Sequence, residues 1–135
     1  MLEEGYGGDD PRLRAAQLSE ALLRNCRYVV SLLMHTQGMT VAEATRFFQE
    51  NAYYEELPSY REALRGTWNA EYLNYTLGKL MLLKLREDYR AQCAAAGQPF
   101  DLCAFHDALL AYGGPPVPLL RRRLLTDPAQ HGALL

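Results

Sequence analysis

Apolar residues recur at spacings of three and four along most of the chain, and the runs begin and end at residues that typically cap helices. Asp10 before Pro11 predicts a helix start, because the carboxylate can cap free N–H groups and proline loses no bond at the first position. Thr40 and Glu43 have the spacing of a capping box. No segment alternates apolar and polar residues in the manner of a strand. The sequence therefore predicts an all-α fold with five or six helices.

The longest predicted helix begins after Asn69 and forms the centre of the fold. Between Tyr72 and Leu85 it is apolar on more than one face, so we expect neighbours on several sides. We also expect one helical domain over residues 1–125, with a frayed head before Asp10 and a flexible tail over residues 126–135. The predicted helices cover about residues 11–36, 41–54, 58–65, 70–96, 102–112 and 117–125.

Composition excludes several classes of partner. The 135 residues are 49% hydrophobic and 22% charged, the balance of one soluble globular domain. A net charge of −2 supplies no general attraction for nucleic acid, and apolar runs such as residues 80–83 are too short to span a membrane. Three cysteines without a Cys-x-x-Cys pair indicate reduced thiols and a cytoplasmic location. We expect no nucleic-acid partner and no membrane partner.

Candidate chemistry is sparse. The sequence has no Gly-x-Ser-x-Gly elbow and no phosphate-binding loop. Cys103 and His106 lie three residues apart on one predicted helix and could share a metal, although a packed cysteine beside a bonded histidine is the commoner arrangement. His35, near a helix C-terminus, could satisfy a free carbonyl with its ring N–H. We predict no metal ligand set and no cofactor in this chain.

Two further groups of residues have simple structural explanations. The run Arg121, Arg122 and Arg123 is typical of a solvated face near a helix C-terminus. Tyr72 and Tyr75 fall near helical spacing and are most simply packed or half-buried. Tyr75 could instead direct its phenol at a reacting oxyanion, and spacing alone does not decide between the two interpretations.

Four stretches together resemble the C-terminal end of the bacterial domain-of-unknown-function 885 family. Family members are helical proteins similar to zinc metallopeptidases of the carboxypeptidase Taq and thimet oligopeptidase kind. Each stretch is short, but the four occur in the family's order and spacing over nearly the whole chain, to about Leu125. They are Met-Leu-Glu-Glu-Gly-Tyr-Gly at 1–7, Leu-Met-His-Thr-Gln-Gly-Met-Thr-Val-Ala-Glu-Ala at 33–44, Tyr-Leu-Asn-Tyr-Thr-Leu-Gly-Lys-Leu at 72–80 and Phe-His-Asp-Ala-Leu-Leu at 105–110.

The resemblance implies that a region upstream of this sequence holds the zinc centre. Family members are several times longer, and their zinc centre is built from a His-Glu-x-x-Pro-Gly-His element and a later Glu-Gly-Trp-Ala segment, neither of which occurs here. On this reading Met1 corresponds to an internal methionine, and zinc belongs to a full-length parent. The resemblance implies that both residues lie on the cleft wall, with Tyr75 giving an oxyanion hydrogen bond and His35 binding substrate or the tetrahedral intermediate. Residues 66–70 depart from the family's Pro-x-Gln-Ala stretch because they contain no glutamine.

The functional prediction is therefore a C-terminal helical module of a metallopeptidase-like protein, not catalytic alone and acting on peptides only within a full-length parent. The alternative is a free-standing helical protein that dimerises or binds partners. In either case, apolar helix faces left exposed would favour a homo-oligomer. An upstream coding stretch with the His-Glu-x-x-Pro-Gly-His element would distinguish the two.

Overall fold

The computed structural model describes Gly5 and residues 7–135, and within them it contains helices and no strand. The predicted all-α class is confirmed. Residues 1–4 and 6, which carry part of the predicted frayed head and of the first family-like stretch, lie outside the described residues. Two 3-10 helices cover Ala70–Leu73 and Pro128–Gln130. The α-helices are α1 Pro11–Gln37, α2 Val41–Ala52, α3 Glu56–Gly66, α4 Asn74–Ala95, α5 Leu102–Leu110 and α6 Val117–Leu124.

The caps read from the sequence form as predicted. The Asp10 carboxylate accepts a hydrogen bond from the Arg12 backbone N–H at 2.9 Å, and α1 ends at Gly38 in the left-handed region with φ of 72°. At α2 the Glu43 N–H donates to the Thr40 hydroxyl at 3.2 Å, while the Thr40 N–H donates to the Glu43 carboxylate at 2.8 Å. These local interactions set where α1 ends and α2 begins.

Two predicted helix starts differ from the structure. Residues 70–73 form a 3-10 turn instead of the first turn of α4, and Asn69 caps that turn by accepting from the Glu71 N–H at 3.0 Å. The longest helix is consequently α1, with 27 residues. Helix α3 begins two residues before Pro58, because the first-turn N–H groups of a helix have no intrahelical acceptor and a proline there removes no bond.

The described chain forms two compact units, one ending at Thr76 and the other beginning at Leu77. The expectation of a single domain over residues 1–125 stays a prediction. In the first unit α1 contributes Leu23, Cys26 and Val30 to a core completed by apolar residues of α2 and α3. Those further residues are Ala44, Phe48, Ala52 and Ala63.

The second unit has its own core, around Leu85 of α4. Phe105 of α5 packs there with its ring centroid 5.4 Å from that of Tyr89 and 6.2 Å from that of Phe100. The Phe100–Phe105 contact is a hydrophobic staple around the cap at Asp101, whose carboxylate accepts from the Ala104 N–H at 2.8 Å. Leu120, Leu124 and Leu125 complete this core.

The segment predicted to be central is less covered than its composition indicates. Tyr72 and Leu85 are buried, but Tyr75, Leu80 and Leu82 are exposed in the described chain. None of the described helices combines the length and apolarity that a bilayer crossing requires.

The predicted tail makes contacts within the second unit. The Thr126 N–H donates to the Gln92 side-chain oxygen at 2.7 Å, and the Arg121 Nε donates to the Gln130 carbonyl at 2.8 Å. His131 Nε2 lies 2.9 Å from the Leu125 carbonyl. The flexibility expected for residues 126–135 stays a prediction beside these contacts.

Candidate functional site

The residues predicted for a site lie where the connection after α3 runs along α1. Four contacts join the two segments, and their order along α1 is the reverse of their order along the connection. We call these contacts the α1 ladder. They pair Asn25 with Thr76, Arg27 with Tyr72, Ser31 with Ala70 and His35 with Gly66.

His35 forms one end of the ladder. Its Nε2 lies 2.9 Å from the carbonyl oxygen of Gly66, the last residue of α3. That carbonyl has no acceptor role inside its own helix, so the imidazole N–H satisfies it. The sequence predicted this role for His35, and the structure assigns it to the end of α3 instead of the end of α1.

Hydroxyl groups hold the middle and the far end of the ladder. The buried Ser31 side chain donates to the Ala70 carbonyl at 2.9 Å. The Thr76 hydroxyl donates to the Asn25 side-chain oxygen at 3.0 Å. The 3-10 helix is thus hydrogen-bonded to α1 at its first residue, before the chain continues into α4. Polar groups as well as apolar packing fix the position of its backbone.

An ion pair and an aromatic ring make up the remaining contact. Arg27 and Glu62 form a two-point pair with both N–O distances at 2.7 Å. Burial opposes ionisation of Glu62, but its hydrogen bonds with Arg27 and the charge of Arg27 outweigh burial, so the pKa of Glu62 lies below its usual value. Arg27 and Arg65 each place the guanidinium carbon near the Tyr72 ring, 5.3 and 5.2 Å from its centroid.

Tyr72 is buried within this group, and its phenol is held in the neutral form. Burial raises the pKa of Tyr72 to about 12, and the negative charge of Glu62 acts in the same direction. The expectation that Tyr72 is a packed tyrosine is confirmed.

Tyr75 has the opposite environment. Its side chain is 54% exposed, beside a hollow of about 260 Å³ that Asn69, Glu71 and Asn74 also line. Of the two expected environments, packed in the core or half-buried, Tyr75 therefore has the second. Of the two tyrosines in the Tyr-Leu-Asn-Tyr stretch, Tyr72 is buried beside the ladder and Tyr75 is exposed to solvent.

The structure does not bring His35 and Tyr75 together. Tyr75 adjoins Thr76, which contacts Asn25, whereas His35 is ten residues further along α1. At ~1.5 Å of rise per residue, the two ends of the ladder are about 15 Å apart. The two candidate residues therefore lie near opposite ends of the ladder.

The residues present do not fit a zinc site. No group of three or more His, Cys, Asp and Glu side chains suited to a metal occurs among the residues the structure describes. Cys103 and His106 are both exposed on α5, and two side chains fall short of the three protein ligands of a catalytic zinc. The prediction that this chain holds no metal stays a prediction for measurement.

Arg121 corrects the expectation of a solvated basic run. Its side chain is fully buried, and its guanidinium donates to the Asp88 carboxylate at 2.6 Å and to the Gln130 carbonyl. Arg122 and Arg123 are exposed, as predicted. The leucines at positions 120 and 124 turn the same helix face inward, which is why Arg121 enters the core with them.

The sequence analysis also missed most of the α1 ladder. Arg27, Ser31 and His35 are spaced by four residues, and this polar stripe beside the apolar residues of the second half of α1 was a readable signal. Glu62 and Asn25 gave no such signal, because their partners lie 35 and 51 residues away in sequence.

These observations define an all-helical protein with a polar ladder in its first unit. The chain belongs to the DUF885 family, described as a bacterial protein of unknown function, which it matches over residues 1–124. No curated protein and no solved structure matches it.

Proposed function

We propose that this chain is the C-terminal helical module of a longer, metallopeptidase-like member of its family, and that it is not catalytic alone. The observation that carries the proposal is the exposed phenol of Tyr75 on a segment bonded to α1 by the ladder. The same proposal places zinc in the upstream region and the protein in the cytoplasm, as the family resemblance and the three free cysteines suggest.

The ladder supplies what a cleft wall needs. A phenol that donates to a developing oxyanion must be held in place before the reaction, and bonds at Ala70 and Thr76 fix the backbone on both sides of the segment that bears Tyr75. The wall between Tyr75 and His35, about 15 Å long, matches four or five residues of an extended peptide at ~3.4 Å each. Tyr75 would act on the reacting carbonyl and His35 would anchor substrate further along.

The test begins with the coding DNA upstream of this chain. We expect an in-frame His-Glu-x-x-Pro-Gly-His element, and a longer product that binds one zinc and hydrolyses peptides while the present chain does neither. In that product Tyr75→Phe should lower kcat about 100-fold, the scale of a lost oxyanion donor, with zinc content unchanged.

Tyr60→Phe is the matched control, because Tyr60 is similarly exposed but lies on α3 away from the ladder. If the Tyr75→Phe variant and the unsubstituted full-length protein have equal kcat, Tyr75 is an ordinary surface tyrosine. An upstream region without zinc ligands would contradict the metallopeptidase assignment itself.

A free-standing helical interaction protein is the second candidate. It is favoured by the number of large apolar side chains exposed on separate helices, among them Leu57, Tyr60, Leu110 and Leu119. A coding region without the zinc element, together with self-association of the present chain, would select this candidate.

A further inference from the structure

The first unit carries an apolar groove between α2 and α3. Its volume is about 600 Å³, and we call it the α2–α3 groove. Tyr60 and Leu64 are each 46% exposed there and face Thr45 and Val41 across it. Both walls repeat at intervals of four residues, the spacing at which a helix pair accepts the side chains of another helix. The lining residues are Val41, Ala42, Thr45, Arg46, Gln49, Glu56, Tyr60 and Leu64.

The groove has one acidic end. Glu50, Glu55 and Glu56 are exposed around the turn from α2 to α3, and the sequence between Arg46 and Arg61 contains no lysine or arginine. Arg46 lines the middle of the groove and lies within the field of Glu43 on the same helix. A ligand for this surface therefore needs an apolar part next to a basic part.

The outer face of α6 has that chemistry. Leu119 is 48% exposed, and Arg122 and Arg123 follow it at positions i+3 and i+4, so the three share one face. They line a hollow of about 450 Å³ together with Tyr112. We call Leu119, Arg122 and Arg123 the α6 outer face.

We infer that the α2–α3 groove of one copy binds the α6 outer face of a second copy. Leu119 packs against Tyr60 and Leu64, and the two arginines meet the glutamates at the acidic end. Charge complementarity selects this occupant: the groove lacks basic residues at its acidic end, and the α6 outer face supplies two exposed ones. An anionic membrane would be repelled by the same glutamates.

The contact joins two different surfaces, so it is head-to-tail. In a self-complementary dimer both copies use the same patch, whereas here each copy presents one groove and one α6 outer face. Disabling one surface in one copy and the other surface in its partner therefore leaves one complete contact. This inference does not depend on the metallopeptidase proposal.

The experiment compares two variants by sedimentation equilibrium, alone and mixed. The groove variant is Tyr60→Asp with Leu64→Asp, and the α6 variant is Arg122→Glu with Arg123→Glu. We expect the parent chain to gain mass with concentration and each variant alone to remain monomeric. An equimolar mixture should form dimers only, because each pair holds one intact groove and one intact α6 outer face.

Charge reversal on both sides provides a second measurement. Glu50→Lys with Glu56→Lys should weaken association of the parent at least tenfold, and adding this change to the α6 variant should restore it. Because the contacts are exposed ion pairs, raising NaCl from about 0.05 to 0.5 M should weaken parental association roughly tenfold.

Leu110→Asp is the matched control, because Leu110 is 70% exposed on α5 and lies in neither surface. It should leave association unchanged, and circular dichroism of every variant should match the parent. A parent chain monomeric at about 1 mM would overturn the inference. So would association that persists in both variants, or an equimolar mixture that stays monomeric.

Discussion

The two units use arginines in different ways. In the first unit the partly buried Arg27 forms one of the four contacts of the α1 ladder, through the ring of Tyr72. In the second unit the fully buried Arg121 bonds both the Asp88 carboxylate of α4, which Lys84 also contacts, and the carbonyl of Gln130. A 27-residue helix offers many points of attachment, whereas the eight residues of α6 offer few.

This difference predicts how much stability each unit loses when an interacting side chain is removed. Interactions shared among several groups can be removed one at a time at modest cost, whereas removing a single central group leaves its partners unpaired in the core. Because the units need not unfold together, hydrogen exchange read by mass spectrometry is the measurement that separates them.

The largest effect is expected from Arg121→Met. The substitution leaves Asp88 paired only with Lys84 and leaves the Gln130 carbonyl without its donor. We expect the second unit to lose about 3–5 kcal/mol of unfolding free energy, measured by exchange of the α6 amides. Arg123→Met, at an exposed position of the same helix, should cost less than about 0.5 kcal/mol. Equal costs for the two would show that Arg121 does not fasten this unit.

Alkaline pH should weaken the first unit through Tyr72. Its pKa is raised from 10.0 to about 12 in the folded chain, so the neutral phenol stabilises the fold fully below pH 10. That contribution is lost as pH rises from 10 to 12, because the unfolded chain releases the proton first. Urea unfolding of the parent across this range should show the fall.

Tyr72→Phe should remove the steepest part of that fall, while Tyr75→Phe, at an exposed tyrosine, should leave it unchanged. An identical alkaline profile for the parent and Tyr72→Phe would refute the role given to burial of the phenol.

A smaller effect is expected from Ser31→Ala in the ladder. The Ala70 carbonyl loses the hydroxyl donor at 2.9 Å, and the remaining three contacts still hold the connection. We expect a loss of about 1–2 kcal/mol, the cost of an unpaired buried acceptor, seen as faster exchange around residues 70–76. Ser19→Ala on the exposed face of α1 serves as the reference. A loss as large as that of Arg121→Met would mean that the ladder is not shared among its members.

The smallest effect is expected from Asn25→Ala. Its hydrogen bond with Thr76, at 3.0 Å, is exposed, and water can replace it. We expect a loss below about 1 kcal/mol in urea unfolding. A loss above that of Ser31→Ala would reverse the order proposed for the middle and the far end of the ladder.

The sequence was sufficient for the elements whose ends are set by neighbouring residues. The caps at Asp10 and Thr40 involve partners two or three residues away, so local pattern reading found them. The 3-10 turn after Asn69 was missed because its geometry depends on the Ser31 bond to Ala70, 39 residues away.

The candidate site was predicted only in part for the same reason. The sequence and the family resemblance drew attention to His35 and Tyr75, but not to their separation along α1. The burial of Arg121 could not be read from a run of three arginines, because only the leucine spacing around it shows which of the three faces the core. Pairs that are distant in sequence, such as Arg27 with Glu62, produce no recognisable pattern in the spacing of neighbouring residues.

The packing at Gly66 limits which substitutions this sequence can accept there. A methyl group at this position would lie 3.1 Å from the Met34 sulfur, on the neighbour of the histidine that bonds the Gly66 carbonyl. Methionine is flexible enough to yield to one carbon, but not to a branched side chain. Positions 34 and 66 should therefore change together among descendants: alanine at 66 alongside a smaller residue at 34, and β-branched residues at 66 absent where methionine stands at 34.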